Sequence, residues 1–165
     1  MAKITFKGQS EYYKKLQQLQ DVYRQDEPLE RVVYKGASVV ADAIRSKIGS
    51  LPVTGFQRLP EGKRFSGISK EQKEDLLKGF GLSPIQRLSK SIDTKAGFDG
   101  YGSYPTKSYP QGIPNNLLAR SIESGSSVRG KTPFVAPAVR ASKDKAVREM
   151  ENEIDTQMKD IFEGG

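Results

Sequence analysis

The chain has 165 residues, of which 35% are apolar and none is Cys or His, and its 27 Lys and Arg against 20 Asp and Glu leave a net charge of +7. That length suffices for one domain with its own core, since folding would bury roughly two thirds of the unfolded surface. Without His and Cys there is no Ser-His-Asp triad, no Cys-His nucleophile pair, no imidazole or thiolate metal site and no disulfide.

The apolar share is low for a globular chain, so a lean core is expected, completed by surface buried against further copies. The positive charge raises the expectation of an anionic partner. Lys and Arg are scattered among acidic residues, however, and no helix carries the one-sided basic stripe of a groove-binding element. No run of about 18 apolar residues occurs, and the start MAKITFKGQSEYYKK has no apolar stretch. Neither a membrane span nor a signal peptide is therefore expected, and assembly in the cytoplasm is.

Lys3 to Lys7 alternates polar and apolar residues at period two and predicts a short strand with Ile4 and Phe6 inward. Ser10 is a candidate cap for a helix on which Tyr12, Leu16, Leu19 and Tyr23 share a face. Asp26-Glu27-Pro28 opens the next helix, since proline suits a first turn and carboxylates favour the positive end of the helix dipole. Leu29, Val33, Ala37, Val40, Ile44 and Ile48 form its apolar stripe, Gly36 and Ala37 permit close approach, and Gly49-Ser50 ends it.

From Leu51 to Ser91, Gly, Pro, Lys and Arg are frequent and regular spacing is lost, which predicts a long basic excursion at about residues 55–90. One small helix lies within it: Ser69 and Gln72 have capping-box spacing ahead of Leu76, Leu77 and Phe80. Ser91 to Phe98 alternates as a half-buried strand. Gly100 to Pro114 is a turn-rich connection whose rings, Tyr101, Tyr104 and Tyr109, are expected to cover the core rather than stack on bases. Asn115-Asn116 caps a short helix through Leu117, Leu118 and Ile122 that ends at Gly125. Pro137 starts the last helix, with Val147, Met150, Ile154, Met158 and Ile161 on one face.

Three patterns invite chemistry. Gly125 to Thr132 matches G-x-x-x-x-G-K-[ST], but a phosphate-binding loop needs a buried strand before it and a helix at its end. Leu118 to Ser124 carries Arg120, Ser121 and Glu123 instead of an apolar run, and Pro133 follows Thr132 at once. Ser142 and Lys145 have S-x-x-K spacing, yet they lie among charged residues where a lysine stays protonated. Glu149, Glu151, Glu153 and Asp155 alternate faces among lysines and arginines, which reads as surface pairing rather than a metal site.

The order of segments says more than any one of them. A long helix runs into Pro52-Val53-Thr54-Gly55, and later Glu123-Ser124-Gly125 leads to Pro133-Phe134-Val135-Ala136-Pro137-Ala138 and the charged terminal helix. This resembles the tail-component family of tailed bacteriophages, the tail-completion, neck or head-tail joining proteins, whose members read A-P-v-d-T-G, then E-f-G-T, then P-F-l-r-P-A. Pro52, Thr54 and Gly55 match the first motif, Glu123 and Gly125 the second, and Pro133, Phe134, Pro137 and Ala138 the third. Physically, the prolines hold an extended approach, Phe134 is one large apolar anchor, and Pro137 sets φ for a first helical turn. Glu123 is open to capping, to a basic partner or to solvent.

The expected fold is α+β, a small antiparallel sheet packed by two long amphipathic helices, with the basic excursion projecting from a single domain. The resemblance implies a structural virion protein and not an enzyme, with no cofactor or metal. Copies would form a ring, expected to be sixfold, joining the head connector to the tail tube, its positive charge near passing DNA. The excursion and the strand edges are the expected contact faces, with Lys63, Arg64, Phe65, Lys70, Lys73, Lys78 and Phe80 as candidate interface residues. The alternatives are a basic nucleic-acid-binding protein and an NTPase using Lys131.

Overall fold

The computed structural model describes residues 9–24, 26–54, 67–89 and 91–163. The strand expected at Lys3 to Lys7 lies outside them. Among the described residues there are five helices and four short strands: α1 (Gln9–Arg24), α2 (Asp26–Gly49), α3 (Lys70–Gly79), β1 (Phe80–Leu82), β2 (Gln86–Leu88), β3 (Ser91–Asp93), β4 (Ala96–Phe98), α4 (Asn115–Ser124) and α5 (Val135–Glu163). The fold is α+β, with the strands antiparallel and the longest helices packed together.

Helices α2 and α5 run antiparallel. Gln157 Nε2 donates to the Pro28 carbonyl at 3.2 Å near one end, while Ala138 shares a surface groove with Ser46 and Lys47 at the other. Ala138, Ser142 and Ala146 are buried at four-residue spacing on α5, and these small side chains bring the α2 backbone close. The expected stripes need correction at one half of each helix. On α2, Ile44 and Ile48 are buried as expected, but further back Val32 and Gly36 are buried while Val33 and Ala37 are only half-buried. The reason is Gly36, where an added Cβ would lie 2.5 Å from Met150 Sδ. A glycine filled by a neighbour's side chain leaves no trace in a hydropathy pattern. On α5, Val147 is 46% exposed, and its place in the seam is taken by Ala146.

Helix α1 lies against both, half-burying Leu16, Leu19 and Tyr23, and Lys15 donates to the Phe162 carbonyl in the last turn of α5, where a cation suits the helix dipole. Ser10 falls inside α1 rather than ahead of it.

The strand expected over Ser91 to Phe98 is two strands with different partners. β1 pairs with β4 (Phe80↔Phe98, Leu82↔Ala96), and β2 pairs with β3 (Gln86↔Asp93, Leu88↔Ser91). Between the pairs, Ser83, Pro84 and Ile85 oppose only Thr94 and Lys95, which makes one hairpin interrupted by a bulge. Pro84 has no N–H to give the ladder, and Ser83 fills in, its hydroxyl accepting from the Lys95 N–H at 3.0 Å and its carbonyl from Thr94 Oγ1 at 2.7 Å. The hairpin tip is exposed and reaches back along α2, where Arg87 pairs with Glu30 and holds that carboxyl below its usual range.

The core collects where α2 ends and α3, α4 and α5 meet the hairpin. Its fully buried large side chains are Phe134, Ile48, Ile68, Leu76 and Ile122. Each contributes about 1.5–3 kcal/mol by leaving water. Phe80 packs tilted against Phe98 with ring centres 5.1 Å apart, and Phe98 meets Phe134 edge-on at 6.0 Å. Arg45 covers the outer side of Phe80 at 5.6 Å from the ring centre.

Candidate assembly site

The described parts of the three motif segments, up to 86 residues apart in sequence from Pro52 to Ala138, lie at this end of the molecule. An α-helix begins with four N–H groups that have no partner inside it. On α5 these belong to Phe134, Val135, Ala136 and Pro137. The Glu123 carboxylate accepts from the first three at 2.6, 2.9 and 3.0 Å, and Pro137 has no N–H at all. Glu123 and Pro137 thus complete one helix terminus between them, and a carboxylate there also suits the helix dipole. Burial raises the Glu123 pKa, but the three N–H groups and Lys131 outweigh it and hold the carboxyl below its usual range. The helix starts at Val135, two residues before the expected Pro137. Phe134 is 1% exposed, and its ring pins the new helix to the core.

Gly125 ends α4 at φ 81° and turns the chain toward α5. The loop after it closes on itself: Ser126 N–H donates to the Arg129 carbonyl at 2.9 Å, and Thr132 N–H to the Ile122 carbonyl at 2.8 Å. A helix and not a strand precedes Gly125-to-Thr132, and Lys131 is exposed. This is not the strand-loop-helix geometry of a phosphate cradle. Ser142 donates its hydroxyl to the Ala138 carbonyl at 2.8 Å, inside the α2–α5 seam. Among the described residues no three Asp or Glu side chains gather as a metal site.

Arg129, between the second and third motifs, bonds the segment that packs against Pro52 of the first. It is 4% exposed, donates Nη2 to Gln72 Oε1 at 2.9 Å, and donates Nη1 to the Gly67 carbonyl. Gly67 lies against Pro52, and across the same junction Thr54 N–H donates to the Ile68 carbonyl at 2.8 Å while Ile68 N–H donates to the Pro52 carbonyl at 3.0 Å. Gln72 belongs to the expected capping box, and Ser69 Oγ does accept from its N–H at 3.2 Å. Its side chain turns instead to Arg129. Nothing in the Gly- and Ser-rich sequence around Arg129 marks it as buried, because a loop has no periodicity to read. Gly67 has φ 78°, and an added Cβ would lie 2.2 Å from the Pro52 carbonyl oxygen. Gly67→Ala is therefore expected to destabilise by more than about 1 kcal/mol in chemical denaturation, with the native fold weakened at this junction first in hydrogen exchange.

Two open apolar grooves flank α4. One, of about 540 Å³, is lined by Leu117 and Leu118 of α4, by Tyr104 and Tyr109, and by Val128. The other, of about 640 Å³, is lined by Ala119 of α4, by Phe98, and by Val135 and Val139 of α5. At 100° per residue, the α4 residues of the two grooves point to nearly opposite sides of the helix. Of the three tyrosines expected to cover the core, Tyr104 and Tyr109 wall the first groove instead, and all three, Tyr101 included, remain exposed. Of the expected interface residues, Phe80 is corrected outright: at 4% exposure it is a core residue. Lys70 and Lys78 are exposed, and Lys73 donates to the Leu51 carbonyl at 3.2 Å. Gly55, Lys63, Arg64 and Phe65 lie outside the described residues.

Comparison with family models, with curated proteins and with solved structures returned no match. No helix among the described residues is long and apolar enough to cross a membrane.

Proposed function

We propose that the chain is a structural, non-enzymatic protein of the tailed-phage neck, a ring-forming tail-completion or head-tail connector component assembled in the host cytoplasm and carried in the virion. The observation that carries this reading is the pair of unlike apolar grooves on opposite sides of α4. A closed ring uses heterologous contacts, so each subunit needs two different faces. The motif segments support the family resemblance independently. Glu123 of the second motif caps the helix start at Phe134 of the third, and Arg129, between those two motifs, bonds Gly67, which packs against Pro52 of the first. Head-connector and tail-tube proteins are the other partners.

Ring particles, sixfold by mass and by electron microscopy, are the expected result for the purified chain. Val128→Glu and Val139→Glu each place a charge in one groove, and each is expected to stop the ring while leaving circular dichroism unchanged. An equimolar mixture of the two is expected to stop at dimers, because one good contact survives between them. A chain that stays monomeric at high concentration, without affinity for connector or tail-tube protein, overturns the reading. DNA binding that weakens steeply with salt would favour a nucleic-acid-binding protein instead.

A further inference from the structure

Asn115 was expected to cap α4, but Pro114 holds the cap position and the Asn115 side chain points into the protein. Its Nδ2 donates to the carbonyl oxygens of Asp75 at 3.3 Å and Asp99 at 2.8 Å. Its Oδ1 accepts from nothing, although the residue is only 3% exposed. Reversing the amide would set oxygen against two carbonyls, so this orientation is the right one. A buried acceptor without a donor is costly, and it calls for a ligand.

Other oxygens face the same space. A Cβ built on Gly102 would lie 3.2 Å from Asp75 Oδ2, 3.4 Å from the Ile113 carbonyl oxygen and 3.8 Å from Asn115 Oδ1. Gly102 does not have positive φ, so the backbone does not demand glycine there. What a side chain would lose is the space between the oxygens. Asp75 is itself buried and makes no ion pair among the described residues, although Lys78 lines an adjoining cavity with it. Its carboxylate accepts from the Ser103 N–H and hydroxyl at 2.7 and 2.6 Å, which leaves lone pairs over.

We propose that this space binds a hard cation of the calcium class, ligated by Asp75 Oδ2, Asn115 Oδ1 and the Ile113 carbonyl, with water completing the shell. All-oxygen donors select such an ion over zinc. With a single carboxylate, a dissociation constant on the order of 0.1–1 mM is expected. The ion ties α3 and α4 to the connection between β4 and α4.

The test is titration of the full chain with calcium chloride by calorimetry, together with thermal unfolding at matched ionic strength. One site is expected, with a melting temperature that climbs with calcium and less with magnesium. Gly102→Ala puts a methyl group into the space while keeping every ligand, and it is expected to fold and to lose roughly tenfold or more in calcium affinity. A wild-type chain that shows neither heat nor a melting shift well above that concentration has only a buried water there, which overturns the proposal. So does a Gly102→Ala variant that responds as wild type does. Oligomer mass is recorded in parallel, so a monomer that still binds calcium separates this proposal from the ring.

Discussion

Phe134→Ala is expected to lower the free energy of unfolding by about 3–5 kcal/mol, a large share of the 5–15 kcal/mol that holds a typical domain together. The ring is fully buried, meets Phe98 edge-on, and sits immediately before the helix α5 that packs along α2. Its removal leaves a cavity at the point where four helices and the hairpin converge, and so little nearby can collapse into it. Urea denaturation measures the loss, and the melting temperature is expected to fall on the order of 10 °C. Phe134→Leu refills most of the volume and is expected to cost about 1 kcal/mol. A Phe134→Ala chain as stable as the parent would mean that the terminal helix is anchored elsewhere.

Glu123→Ala is expected to cost about 2–3 kcal/mol, because three N–H groups at the start of α5 lose a charged acceptor. Glu123→Gln keeps one acceptor oxygen and no charge, and is expected to lose about half of that. The pH dependence has a definite sign. Since the folded pKa lies below the unfolded value, the carboxylate's contribution is fully present above the unfolded pKa and is lost as pH falls through the folded one. Wild type is therefore expected to exceed Glu123→Gln at neutral pH and to converge with it in acid, as the protonated carboxyl comes to resemble the amide. Denaturation curves at stepped pH read this directly. A gap between the two that is independent of pH would assign Glu123 a packing role instead of a capping one.

Glu123 also shows where reading a sequence stops. Its spacing from Gly125 and the Pro-Phe segment was legible, and so was the helix on either side. Which of three roles the carboxylate plays was not, because its partners lie eleven to thirteen residues away across a turn. Arg129 was invisible for a related reason: its partners, Gly67 and Gln72, are brought to it only when α3 docks beside α4. Phe80 and Val147 were misplaced because hydrophobicity states that a residue can be buried and not what buries it: Phe80 packs into the core of its own chain, while Val147 stays exposed.

By itself the sequence determined the helices α2, α4 and α5, the Ser69 cap, the α+β class, and the absence of imidazole and thiol chemistry. These rest on local periodicity, capping and composition, which act within a few residues. The tertiary structure alone decided that Ala146 takes the place of Val147 in the helix seam, that a bulge splits the hairpin, that two apolar grooves flank α4, and that Asp75, Asn115 and Ile113 surround one space. Each of these depends on groups far apart in the chain approaching within a few ångströms, and only the packed fold sets those distances.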